Sequence, residues 1–231
     1  MKCAVLILGI ARSGTSAVAG ALCASGLPFG DALKPADWQN PKGNHEDFPL
    51  SRLNQRLLAR FGRSWSDTRR MPDGWLGHPE TAVFAARIAD QLVRRFSQYP
   101  AFGLKDPRLV VLYPLYARVL RSEGWTVRTI TVARDESEVV ASICKSGYLR
   151  GLYLPWRGRR LFRHYMSKIH ALRDETGSIH VTYDELIENP RPTLSKVIDG
   201  LGLEAAGLSL DIGRGAAFVD PSLWRNRASG R

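Results

Sequence analysis

A chain of 231 residues, 44% hydrophobic and 9% aromatic, is long enough and apolar enough to bury one sizeable core. That balance excludes a disordered or collagenous chain, and no apolar run approaches the roughly 18 residues needed to cross a bilayer. The formal net charge of +11 points to an anionic ligand, an acidic substrate, nucleic acid or a membrane surface, without choosing among them.

Strand-like runs fall at residues 4–9, 101–104, 127–132 and 178–182. Helical patterns occupy about 14–25, 49–61, 80–96, 109–122, 136–145, 161–175 and 192–201. Short strands alternating with helices predict an α/β fold, a central parallel sheet flanked by helices in three layers. No repeat or Pro/Gly-rich linker divides the chain, so residues 1–231 are expected to form a single domain. Ligands of such sheets sit beyond the carboxyl ends of the strands, which singles out Arg12, Lys105, Arg134 and Tyr183.

The first apolar run, from Cys3 to Ile10, leads into Ala11-Arg12-Ser13-Gly14 rather than a small-residue cleavage site. It reads as a buried strand of a cytoplasmic protein and not as a signal-peptide core. Gly9-Ile10-Ala11-Arg12-Ser13-Gly14-Thr15-Ser16 then joins strand to helix. Its glycines let backbone N–H groups turn inward beside a helix N-terminus, which suits a phosphate or sulfate. Laid on GxxxxGK[ST], the glycines and Ser16 fit, but Thr15 stands at the lysine position, which counts against an ATP-using kinase.

Further along come the polar segment Asn40-Pro41-Lys42-Gly43-Asn44-His45-Glu46-Asp47 and then Gly103-Leu104-Lys105-Asp106-Pro107-Arg108. Arg134 follows the third strand, and Ser142 lies eight residues on in the next helix. Arg134 has an ordinary alternative, an ion pair with Asp135 or Glu138. From Lys145 to Arg173 there are eight lysines and arginines and no acid, interleaved with Tyr148, Tyr153, Trp156, Phe162 and Tyr165. That stretch reads as a lid, a wall for an anionic acceptor, a membrane or nucleic-acid contact, or a solvated helix. The three cysteines are expected to be buried thiols in a reducing compartment, and the five histidines lack metal-ligand spacing, so no metal site is expected.

Taken together, Arg-Ser-Gly-Thr-Ser after the first strand, Lys-Asp-Pro after the second, Arg134 with Ser142, and Val181-Thr182-Tyr183-Asp184-Glu185-Leu186 resemble the PAPS-dependent sulfotransferases. The likeness is to bacterial members of the tyrosylprotein and carbohydrate branches, and it covers residues 2 to about 203. The resemblance implies a P-loop-like sheet and the donor 3′-phosphoadenosine 5′-phosphosulfate, with adenosine 3′,5′-bisphosphate as product and no metal. It implies that Arg12, Ser13, Gly14, Thr15 and Ser16 hold the phosphosulfate, that Arg134 and Ser142 hold the 3′-phosphate, and that Tyr183 lies against adenine. Lys105 would stabilise the leaving phosphate together with Arg12. Glu46 would accept the acceptor proton, with His45 as its rival. Read from the residues alone, Asp106 before proline suits a helix cap, and Glu46 or Asp47 has the ordinary alternative of capping the helix from Pro49. Arg108 faces either the acceptor or a carboxylate.

The acceptor would be a hydroxyl, or an amine, of a glycan, glycolipid or small metabolite, held by loops near 27–60 and 145–173. Nucleic acid is not expected as a partner of such an enzyme, and peripheral membrane contact stays open. The tail from Asp220 to Arg227 lacks Arg-x-Gly-x-x-Gly, so no site is expected there. Two other classes would share parts of this pattern: a nucleotide or small-molecule kinase, and a non-catalytic basic module for nucleic acid or anionic lipid.

Overall fold

The computed structural model describes residues 2–145 and 154–224. Four parallel strands, β1 Cys3–Leu8, β2 Ala101–Lys105, β3 Thr126–Ala133 and β4 Ile179–Thr182, form one sheet in the order β2-β1-β3-β4. Every residue of β1 is buried, because it lies between two strands and under helices on both faces. Its side chains alternate between two cores. Ala4, Leu6 and Leu8 face a cluster with Phe96, Phe102, Leu112, Tyr116 and Tyr165, and Cys3, Val5 and Ile7 face one with Leu22, Leu194 and Val197. This is the α/β three-layer, P-loop-like arrangement expected from the sequence.

The helices in chain order are α1 Thr15–Ala24, α2 Phe48–Arg60, α3 Pro79–Phe96, α4 Leu109–Ser122, α5 Glu136–Lys145, α6 Pro155–Thr176, α7 Tyr183–Glu188, α8 Pro190–Leu201 and α9 Ile212–Phe218. α6 begins six residues earlier than the apolar pattern suggests, because its first turns are arginine-rich and mostly solvated. Two helices, α7 and α9, are absent from the periodic patterns of the sequence, since neither is long enough to show a period. α7 is nonetheless marked locally. Thr182 accepts from the Glu185 N–H while the Glu185 carboxylate accepts from the Thr182 N–H, a reciprocal cap.

Among the described residues no helix is long and apolar enough to cross a membrane. None of the cysteines is in a disulfide there; Cys3 is buried, but Cys23 and Cys144 are only half-buried, which corrects the expectation of three buried thiols. No group of three His, Cys, Asp or Glu side chains among the described residues is placed to hold a metal ion.

Candidate active site

β1 is flanked by β2 on one side and β3 on the other, so the chain leaves the sheet centre in opposite directions and opens a crevice at the strand ends. The loop after β1 lines it. Both glycines of that loop are sterically required. A Cβ on Gly9 would lie 2.5 Å from Thr15 Cγ2, and one on Gly14 would lie 2.3 Å from Tyr183 Cδ2. Gly14 also has φ 96°, and Arg12 is held at φ 74°, a conformation non-glycine residues rarely adopt. Ser13 turns inward: its Oγ and its N–H both donate to the Ile10 carbonyl, at 2.8 and 3.2 Å. It holds the turn and does not line the cavity. Thr15 and Ser16 do line it, at the first turn of α1, where backbone N–H groups have no intrahelical acceptor.

The donor-binding candidates that follow β3 are drawn together with this loop, though not as two separate ends. Arg12 Nε donates to Ser142 Oγ at 2.9 Å, and Arg12 Nη1 reaches Asn40 Oδ1 at 3.5 Å. Arg134 makes the ion pair that was its ordinary alternative, with Nε 2.7 Å from Glu138 Oε2 and both side chains buried. Its guanidinium carbon sits 4.5 Å from the Tyr183 ring centroid, and Nη1 reaches the Arg12 carbonyl at 3.4 Å. Among the described residues, Arg134 Nη2 is buried without a hydrogen-bond partner. Arg12, Arg134, Ser142 and Tyr183 all line the same cavity of about 270 Å³.

Lys105 and Glu46 line the same cavity. Lys105 ends β2, is buried, and donates to Glu46 Oε1 at 2.9 Å and to the Asn44 carbonyl at 3.0 Å. Burial works to raise the Glu46 pKa, but Lys105, with Lys34 and Arg108 behind it, holds the carboxyl below its ordinary value of 4.5. Lys34 Nζ lies 3.9 Å from Glu46 Oε2. His45, at φ 52°, points away into a slot between Phe29 and Phe218 and does not line the cavity. Burial, then the charge of Lys105, lowers its pKa. Asp47, not Glu46, caps α2, accepting from the Leu50 N–H at 3.0 Å.

Arg108 finds a carboxylate. Its Nη1 donates to both oxygens of Asp106, at 3.0 and 2.9 Å, and to Ser51 Oγ, while Asn54 Nδ2 also donates to Asp106 and Tyr116 Oη to Asn54. Asp106 Oδ1 accepts from the Arg108 N–H just before α4, so this carboxylate organises the helix start. Burial pushes its pKa up against the pull of Arg108.

The Glu46 shift has a stability consequence. A carboxyl depressed on folding stabilises the protein above its unfolded pKa, and that contribution is lost as pH falls through the folded value. Thermal melts from pH 6 down to about pH 3 should therefore show wild type losing more Tm than Glu46→Gln below about pH 4.5. Parallel curves for the two proteins would contradict the depressed pKa.

Several lining residues were not singled out in the sequence. Lys34 and Trp65 come from loops, Asn40 and Asn44 from the polar segment that also holds Glu46, and Phe218, Asp220 and Leu223 form a wall, the last two in the tail where no site was expected. Lys42 ties that wall down, donating to the Phe218 carbonyl at 2.6 Å and lying 3.6 Å from Asp220. Trp224 Nε1 donates to Glu138 Oε2 at 2.7 Å, and its ring meets Tyr183 edge to face. Tyr148 and Tyr153 of the basic stretch, and Arg225 to Arg227 of the tail, lie outside the described residues.

No family model matches the sequence. Among solved structures, the chain is similar to a sulfotransferase domain from the curacin biosynthetic pathway, with TM-score 0.51 and 16% identity over 100% of this chain and 93% of that one. It is also similar to the sulfotransferase domain of the Synechococcus PCC 7002 olefin synthase, with TM-score 0.52 and 20% identity over 99% and 90%. The parallel sheet flanked by helices, matched over nearly all of both chains, gives this chain the same fold as these two domains.

Proposed function

We propose that the protein transfers a sulfuryl group from 3′-phosphoadenosine 5′-phosphosulfate to a hydroxyl, or amine, of a glycan, glycolipid or small metabolite. One observation carries this reading: Arg12, Lys105 and Arg134 line one cavity with Glu46, while Thr15 stands where an ATP-using loop has lysine. The residues suit the donor. The first-turn amides at Thr15 and Ser16 suit its 5′ end. The buried, unpartnered Nη2 of Arg134 suits a 3′-phosphate, and Tyr183 offers an aromatic surface for adenine.

The donor supplies an activated sulfur, whose bond to the bridging phosphate oxygen breaks as the acceptor oxygen bonds to it. Glu46 takes the acceptor proton on its carboxylate, which Lys105 keeps ionised at neutral pH. Lys105 also brings a buried positive charge to the leaving phosphate, and Arg12 brings one to the transferring oxygens. Adenosine 3′,5′-bisphosphate is then the second product.

Calorimetry tests this reading. Adenosine 3′,5′-bisphosphate should bind more tightly than ATP with magnesium; tight Mg-ATP binding and no bisphosphate binding would favour a kinase and overturn it. Arg134→Ala should weaken bisphosphate binding about 10- to 100-fold, the loss of one or two charge-assisted hydrogen bonds. Unchanged affinity would remove Arg134 from the site.

A further inference from the structure

α6 carries a charged face that the proposed reaction does not use. Trp156, Arg159, Arg160 and Arg163 recur at spacings of three and four, so they share one side of the helix, and all four are exposed. Leu154, just before the helix, is 46% exposed, and Trp156 is 56% exposed. The loop after α2 adds to this charge. Tyr165 Oη donates to the Trp65 carbonyl at 2.6 Å and fastens that loop to α6, bringing Arg69 and Arg70 to the same region.

Counter-charge is scarce. Asp67 is taken up by Arg69, and Glu136 lies 3.7 Å from Arg163. Arg70, Arg159 and Arg160 have no ion pair among the described residues. The crowding registers on the neighbours: burial, then the charge of Arg70, lowers the Lys168 pKa, and burial, then Lys168, lowers that of His164.

We propose that this face docks on an anionic lipid surface, with Leu154 and Trp156 among the headgroups and the arginines against lipid phosphates. Charge complementarity requires an anionic partner. The two exposed apolar side chains decide which kind. An indole and a leucyl side chain beside arginines match the boundary between headgroups and acyl chains, whereas a nucleic-acid backbone offers Leu154 nothing to bury against. Trp65, fastened to α6, also lines the cavity, so the docking face and the cavity share a structural support.

Co-sedimentation of the whole protein with lipid vesicles tests the proposal independently of donor binding. Vesicles with about 30% phosphatidylglycerol in phosphatidylcholine should bind the protein at about 0.1 M salt, and pure phosphatidylcholine should not; about 0.5 M salt should weaken the binding. At about fivefold per arginine, Arg159→Ser with Arg160→Ser should lower the partition coefficient about 25-fold. Trp156→Ala should lower it separately. Both arginines are exposed, so an unchanged melting curve confirms that these variants fold. Equal binding to both vesicle types, no binding to either, or binding indifferent to all three substitutions would overturn the proposal. So would tight binding to duplex DNA in place of vesicles, if the arginine substitutions abolish it.

Discussion

Gly14→Ala is expected to abolish binding of adenosine 3′,5′-bisphosphate, more than 100-fold by calorimetry, and to lower Tm by about 5–15 °C. Two costs coincide at this position. Alanine at φ 96° costs about 1–2 kcal/mol, and its Cβ would lie 2.3 Å from Cδ2 of the buried Tyr183 ring, an overlap worth about 1–3 kcal/mol if the ring can shift. The ring has little room, because Arg134 covers one face and Trp224 meets it edge-on. A double variant checks the cause. Tyr183→Ala should make room for the new Cβ, so Gly14→Ala with Tyr183→Ala should be more stable than the sum of the single losses. Strict additivity would show that the loop is destabilised without reference to the ring.

Glu46→Gln is expected to lower kcat for sulfuryl transfer by about 10²- to 10⁴-fold, the usual contribution of a positioned general base. The measurement is transfer of labelled sulfate from the donor to an acceptor drawn from a glycan and metabolite panel. Bisphosphate affinity should stay the same or tighten, since the substitution removes a negative charge 2.9 Å from Lys105. A kcat within a few-fold of wild type would remove Glu46 as the base. His45→Gln gives the contrast. His45 lies outside the cavity lining, packed between two phenylalanines, so its substitution should lower Tm and leave kcat within a few-fold.

What the sequence made legible was the set of residues at or just beyond the strand ends. Lys105 and Arg134 are placed by the sheet itself and Arg12 by the loop after β1, and the strand runs were visible as short apolar segments between turns. Where the side chains of His45 and Glu46 lie was not legible. It depends on His45 standing at φ 52°, which turns one neighbour into the aromatic slot and the other to the cavity, and no spacing encodes that. Side-chain partners were equally hidden. Arg12 meets Ser142 across 130 positions, and the helix α9 that carries Phe218 is too short to announce itself by period. The Arg134–Glu138 pair was visible as an i,i+4 spacing, yet it does not exclude the anion-binding reading, because Nη2 stays unpartnered.

The wall made by Phe218, Asp220 and Leu223 has a consequence for biosynthesis. The loop from Gly9 to Ser16 and this wall lie roughly 200 residues apart along the chain. At the usual 5–20 residues per second, that gap lasts on the order of 10 to 40 s. Until it has passed, the nascent chain lacks the carbonyl of Phe218 to which Lys42 donates, so the cavity gains this wall only after the sheet and the residues of its other walls have been made.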